Sequence, residues 1–118
     1  MNFGTGQAGE QHIAKLLKRR GFRILEQNYH SRFGEIDIIA ENRQYIVFVE
    51  VKTRKRDGLV APFEAITPAK RRRLILTAET YLATHPVNVQ PRFDAAAVYT
   101  EQGKIVGEEY LENVFGAP

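Results

Sequence analysis

Apolar and polar positions along the chain change period several times, and each change marks an element. From about Gln7 to Arg20, Glu10, Ile13, Ala14 and Leu17 follow three- and four-residue spacings, which predicts a helix with one sheet-facing side. Thr5 is placed to cap its start and Gly21 to stop it. "FRILEQNY", Phe22 to Tyr29, reads as a short strand, and "GEIDIIAENRQYIVFVEVKTR", Gly34 to Arg54, as two apolar strands turning at Glu41 to Gln44. After a loop holding Gly58 and Pro62, Thr67 and Pro68 supply a cap and a first-turn proline for a second helix. Its Leu74, Ala78, Tyr81 and Leu82 describe one buried face, and His85-Pro86 ends it. "RFDAAAVYT", Arg92 to Thr100, is a final strand that turns near Gln102-Gly103 into an apolar tail. The order αβββαβ predicts an α/β fold, a mixed sheet flanked by helices. With no repeat, linker or low-complexity tract, residues 1–118 read as a single domain.

The hairpin carries charge where a strand pair should be apolar. Alternation sets Glu35, Asp37 and Ile39 on one face and Ile46, Phe48, Glu50 and Lys52 on one face of the next strand. A turn centred on Asn42-Arg43 would pair Ala40 with Tyr45, setting Glu35 opposite Glu50, with Asp37 opposite Phe48 and diagonal to Glu50. Like charges placed so destabilise a sheet unless something compensates. A divalent cation would do so, and ligands made of oxygen alone favour Mg²⁺ or Mn²⁺ over zinc. Lys52 lies two residues beyond Glu50 on that face, within reach of a phosphate oxygen. The blander reading is a polar hairpin end at the sheet rim, with Lys52 pairing a carboxylate. Glu10, on the apolar side of helix one, either favours the helix start electrostatically or joins a metal site above the strand ends.

Composition narrows the setting. The chain has no cysteine, which excludes disulfides and thiolate zinc sites and points to a reducing, cytoplasmic location. It lacks an apolar run of membrane-spanning length, and its N-terminus lacks a signal-peptide core, so no membrane partner is expected. Net charge is only +3, but Lys52, Arg54, Lys55, Arg56, Lys70, Arg71, Arg72 and Arg73 face only Asp57 and Glu64 between Lys52 and Arg73. That zone suits a polyanion such as nucleic acid, although a charge run is as often a solvated surface.

Other patterns carry less. "GTGQAG", Gly4 to Gly9, matches G-x-G-x-x-G but has no strand before it, so it reads as a flexible lead into the helix. Ser31 is the only serine, and its neighbour His30 would point away from it in an extended segment, which argues against a nucleophilic triad. His12, His30 and His85 show no metal-ligand spacing.

Helix Glu10, strand Asp37 and the tripeptide Glu50-Val51-Lys52 together resemble the PD-(D/E)XK nuclease superfamily, with Ile36 standing where its name implies proline. The arrangement is similar to that of archaeal Holliday-junction resolvases, and closer still to the bacterial YraN-type family of small endonuclease-like proteins. The segments that carry this are "GQAGEQHIAKLLKRRGFRILEQNYHSRFGEIDIIA", "VFVEVKTR", "AITPAKRRRL" and "FDAAAV", nearly the whole chain. The resemblance implies a restriction-endonuclease-like core and a metal-dependent endonuclease acting on DNA, with branched or recombination intermediates as substrates. It implies Asp37 and Glu50 as metal ligands, a third oxygen from the Val51 carbonyl, Glu10 bound directly or through water, and Lys52 orienting the attacking water. Glu35 would stand behind these, orienting Lys52 or a basic side chain. Arg54, Lys55, Arg56, Lys70, Arg71, Arg72 and Arg73 would hold the nucleic-acid backbone, and cutting two strands would favour a homodimer. A protein that binds nucleic acid on this fold without cutting it is the alternative.

Overall fold

A computed structural model of the chain describes residues 4–56 and 66–115. Seven elements follow in order: α1 (Gly4–Arg19), β1 (Arg23–Ser31), β2 (Gly34–Glu41), β3 (Tyr45–Lys55), α2 (Pro68–Thr84), β4 (Gln90–Glu101) and β5 (Lys104–Phe115). The strands form one sheet in chain order, antiparallel throughout except for the parallel pair β3–β4 that α2 connects. Mixed α/β architecture is therefore as expected, but the order is αβββαββ: the apolar tail is a full fifth strand. The loop glycine and proline, Gly58 and Pro62, lie outside the described residues. Among the described residues, no helix is long and apolar enough to cross a membrane.

Strand alternation divides the core into two layers. Val47 and Val49 of β3 join Ile38, Ala40, Ala96 and Val98 beneath Ile13, Ala14, Leu16 and Leu17 of α1. Ile46 and Phe48 point the other way, to Leu74, Ala78 and Tyr81 of α2, where Phe48 also packs on Phe93. The helices thus cover opposite faces of a sheet whose central strands are apolar on both sides, as a parallel crossover requires.

Helix ends obey local chemistry. Gly21, at φ 91°, lets its own N–H reach the Lys18 carbonyl at 3.1 Å and the Phe22 N–H reach that of Leu17 at 3.0 Å, the double bond of a glycine C-cap. Thr67 caps α2 through Lys70 N–H at 3.2 Å, with Pro68 next. Thr5 is not a cap, because α1 already starts at Gly4 and the glycine-rich stretch forms its first turns. Gly9 explains part of that composition: a Cβ there would stand 2.3 Å from Thr53 Oγ1 and 3.5 Å from Val98 Cβ, so its bare backbone lets α1 close onto β3 and β4. Gly9→Ala is accordingly expected to destabilise the fold by about 1–3 kcal/mol through overpacking, against alanine's better helix propensity. Urea denaturation measures it, and a stabilised variant would contradict the close packing.

Candidate active site

The sheet forks at one end, and the fork collects the charged groups. β2 and β3 pair from Glu41–Ile46 to Ile38–Val49 and then separate. Beyond that point Asp37 takes over the role of the ladder, its Oδ2 accepting the Val51 N–H at 2.7 Å. The register differs from the sequence expectation. Asn42 Oδ1 accepts the N–H groups of Gln44 and Tyr45 at 2.8 Å each, and the Asn42 N–H donates to the Tyr45 carbonyl at 2.9 Å, so Asn42 rather than Ala40 partners Tyr45. Continued, this register sets Asp37 rather than Glu35 level with Glu50. Because the shift is two residues, each side chain keeps its face.

The strict alternation of β2 breaks here too. Ile38 and Ala40 pack toward α1, yet Ile36 packs toward α2. The neighbouring β1 residue Asn28 takes φ 54°, a left-handed conformation that asparagine tolerates. Its amide is oriented with nitrogen toward Glu10, since the reverse would oppose oxygen to oxygen, and donates to the two carboxylate oxygens at 3.0 and 3.2 Å. Asn28 therefore fixes Glu10 in place.

The fork opens into a cleft of about 310 Å³. Both helices begin at it: α1 brings Gly6 and Glu10, α2 brings Lys70 and Leu74, and the strands contribute Glu35, Asp37, Glu50, Val51 and Lys52. Glu10, Asp37, Glu50 and Lys52 are thus brought together from three elements, as the sequence expected.

The carboxylates resist their charge. Burial, then the charges on Asp37 and Glu35, push Glu10 up to about 6. Burial also raises Asp37, with Glu50 and Glu35 adding to it while the Val51 N–H and Lys52 oppose it. Glu50, 8% exposed, accepts Lys52 Nζ at 2.9 Å and Lys70 Nζ on one oxygen, Oε1. Its other oxygen, Oε2, has no hydrogen-bond partner, the one such buried side-chain atom among the described residues. Burial pulls Lys52 down, but its contacts with Lys70 and Glu50 outweigh that and leave it above the ordinary lysine value. Lys52 is therefore a cation at neutral pH. It can hold and neutralise an anion.

Among the described residues, no three Asp, Glu or His side chains stand close enough together to enclose an ion as they lie. The donor set nevertheless fits a hard divalent cation: three carboxylates, two of them raised by burial and then by neighbouring negative charge, and an orphaned Glu50 Oε2 facing no donor. Lys70 now holds part of Glu50's charge.

Not every expected residue sits in a single role. Glu35 lines the cleft and pairs with the His30 imidazole, Nδ1 at 3.3 Å. Lys70, expected to hold a nucleic-acid backbone, turns into the cleft and pairs with Glu50. Arg71, Arg72 and Arg73 are exposed and spread around α2: Arg71 lies 5.8 Å from the Phe115 ring centroid, while Arg73 stands beside Gly34. Arg54, Lys55 and Arg56 continue β3 away from Lys52. Ser31 is a tie between elements, its Oγ 3.0 Å from Thr77 Oγ1 and accepting the Phe33 N–H at 3.1 Å. Sequence reasoning assigns neither Asn28 nor Gly9 to the site, and it gives Lys70 only a role on the nucleic-acid backbone. A glycine inside a helix was the available signal for Gly9, and the other two needed the fold.

Comparison with known proteins finds relatives along most of the chain. A protein of Syntrophus aciditrophicus, named UPF0102 protein, is 48% identical over 98 residues, covering 82% of this chain and 77% of its own. Relatives of the same name from Syntrophomonas wolfei and Dictyoglomus thermophilum are 41% and 40% identical, over 88% and 97% of this chain and 91% and 98% of theirs. The model of "Uncharacterised protein family UPF0102" matches residues 9–98, a span that runs from Gly9 beside Glu10 through the fork and α2 to Val98 of β4, and the chain belongs to that family.

Proposed function

We propose that this protein is a metal-dependent endonuclease that hydrolyses phosphodiester bonds in nucleic acid, DNA first among its substrates. The observation that carries the reading is the buried, unpartnered Glu50 Oε2 beside Glu10 and Asp37, which burial first and neighbouring carboxylates second push above the ordinary carboxylate range. A fold does not keep such a cluster for stability, since replacing buried charge with apolar groups is often neutral or favourable. Mg²⁺ or Mn²⁺ held there by Asp37, Glu50 and Glu10 would neutralise the phosphate and make bound water a better nucleophile.

The chain's own residues supply the rest. Lys52, held on Glu50, places a fixed positive charge at the cleft where the phosphate charge grows during hydrolysis. Asp37 is locked by the Val51 N–H, which also aligns the β3 backbone across the fork. Asn28 keeps Glu10 turned inward. This set of groups also supports the PD-(D/E)XK relationship and its resolvase branch. Symmetric cutting of a junction would call for two copies related by a two-fold axis.

The test is a panel of labelled single strand, duplex, flap and four-way junction incubated with Mg²⁺, Mn²⁺ or EDTA. Cleavage with either metal and none with EDTA is expected. Salt-dependent binding without cleavage under any condition would instead support the non-catalytic nucleic-acid-binding protein.

A further inference from the structure

Beside the acidic cleft lies a larger and oppositely charged depression. It measures about 1020 Å³ against 310 Å³ for the cleft, and it is formed where the end of β3 meets the turn joining β4 to β5. Arg54, Lys55 and Arg56 line one side and Lys104 the other, with Glu101 the single carboxylate. We infer that this groove is the track for a nucleic-acid backbone, and that Lys104 on the β4–β5 hairpin is a phosphate contact for it. The inference rests on the nuclease reading for what happens to the bound strand, but not for the binding itself.

Three observations support it. The first is rigidity. Gln102 and Gly103 take φ 51° and 77° between the paired residues Glu101 and Lys104, a two-residue turn of the type that matches strand twist. Lys104 is therefore presented by a fixed hairpin. On the other side, the Arg56 N–H donates to the Thr100 carbonyl at 2.9 Å, and Arg56 Nε lies 3.6 Å from Glu101. The second is charge. Four cations against one carboxylate give the groove a net positive lining, and no phosphate-binding group there has to be unburied first: Lys55, Arg56 and Lys104 are all exposed.

The third is continuity. Groove and cleft share strand β3, the cleft ending at Lys52 and the groove starting at Thr53. Arg54 stands two residues beyond Lys52 on the same face of β3, about 7 Å along the strand, so a backbone held at the Arg54 end of the groove leads toward Lys52. The arginines of α2 offer no comparable track, because consecutive helical residues point about 100° apart and Arg71 and Arg73 already diverge toward Phe115 and Gly34. Contacts made only to phosphates position a strand without reading its sequence, so the groove suits recognition of shape.

The experiment measures binding of a fluorescent duplex DNA in EDTA at a series of NaCl concentrations. Wild type, Lys55→Gln/Lys104→Gln and Arg43→Gln, an exposed cation at the β2–β3 turn outside both cleft and groove, are compared. Two lost phosphate contacts should make the slope of log K against log[salt] shallower by about 1.8, with several-fold weaker binding at the lowest salt, while Arg43→Gln keeps the wild-type slope. An unchanged slope in the double variant, or no salt-dependent binding by wild type, overturns the groove. Cleavage assayed separately with Mn²⁺ keeps the two readings apart. Groove-dependent binding with no cutting retains the track and removes the nuclease, whereas cutting with groove-independent binding does the reverse.

Discussion

Lys52→Met is expected to slow metal-dependent phosphodiester cleavage by about 100- to 1000-fold while leaving the fold intact, the range seen when a single transition-state-stabilising donor is removed. The side chain is partly buried and paired with Glu50 at 2.9 Å, a contact that favours its charged form. Methionine keeps most of the aliphatic stem and deletes the charge. Lys70 still neutralises Glu50 in the variant, so the loss reports on the phosphate and not on a stranded carboxylate. Single-turnover cleavage with Mn²⁺ measures it. A loss below about threefold, with unchanged thermal unfolding, would remove Lys52 from the reaction.

Asp94→Ala should destabilise the protein by about 3–5 kcal/mol, the range for breaking one partner out of a buried ion pair. Asp94 is 2% exposed and accepts four bonds: Arg92 Nε and Nη2 at 2.9 Å each, the Tyr110 hydroxyl at 2.6 Å and the Asn113 N–H at 2.9 Å. Its loss leaves the nearly buried Arg92 guanidinium without its bidentate partner, still stacked 4.5 Å from the Tyr45 ring centroid. It also removes the Asp94 bonds to Tyr110 and Asn113, leaving β5 with its backbone ladder to β4 alone at that point. Burial and the Asp94 charge push the Tyr110 hydroxyl far above the ordinary tyrosine value, so it stays a donor at any pH the protein experiences. Urea unfolding followed by far-ultraviolet circular dichroism gives the number. A change under about 1 kcal/mol would show that the network does not hold the sheet edge.

That network lies on the element the sequence concealed. β5 looks like a tail because its apolar residues keep no single period. A register shift near Tyr99–Thr100 adds one residue, so Ile105 and Tyr110, of opposite parity, both pack on the α1 side. Alternation, the main strand signal, is erased by such a bulge. α2 was legible to the residue at its start because Thr67-Pro68 is a chemical signature independent of context, and α1 nearly so at its end through Gly21. Of the site, Glu10, Asp37, Glu50 and Lys52 could be named because a charge on an otherwise apolar face is conspicuous. Their geometry could not, since it depends on Asn42 fixing the turn and on Asp37 replacing a ladder bond at Val51. Lys70 reads from sequence as one more residue of a basic run, and only the way α2 crosses the sheet turns it onto Glu50.

The central claim is that the fork is built for a divalent cation, and Mn²⁺ binding measured by electron paramagnetic resonance on wild type, Asp37→Asn and Glu50→Gln tests it without requiring turnover. Wild type is expected to bind Mn²⁺ and both variants to lose at least about tenfold in affinity, in line with removing a charged ligand from a metal site. Wild-type protein that takes up no Mn²⁺ at millimolar concentration, or variants that bind it as wild type does, would contradict the claim.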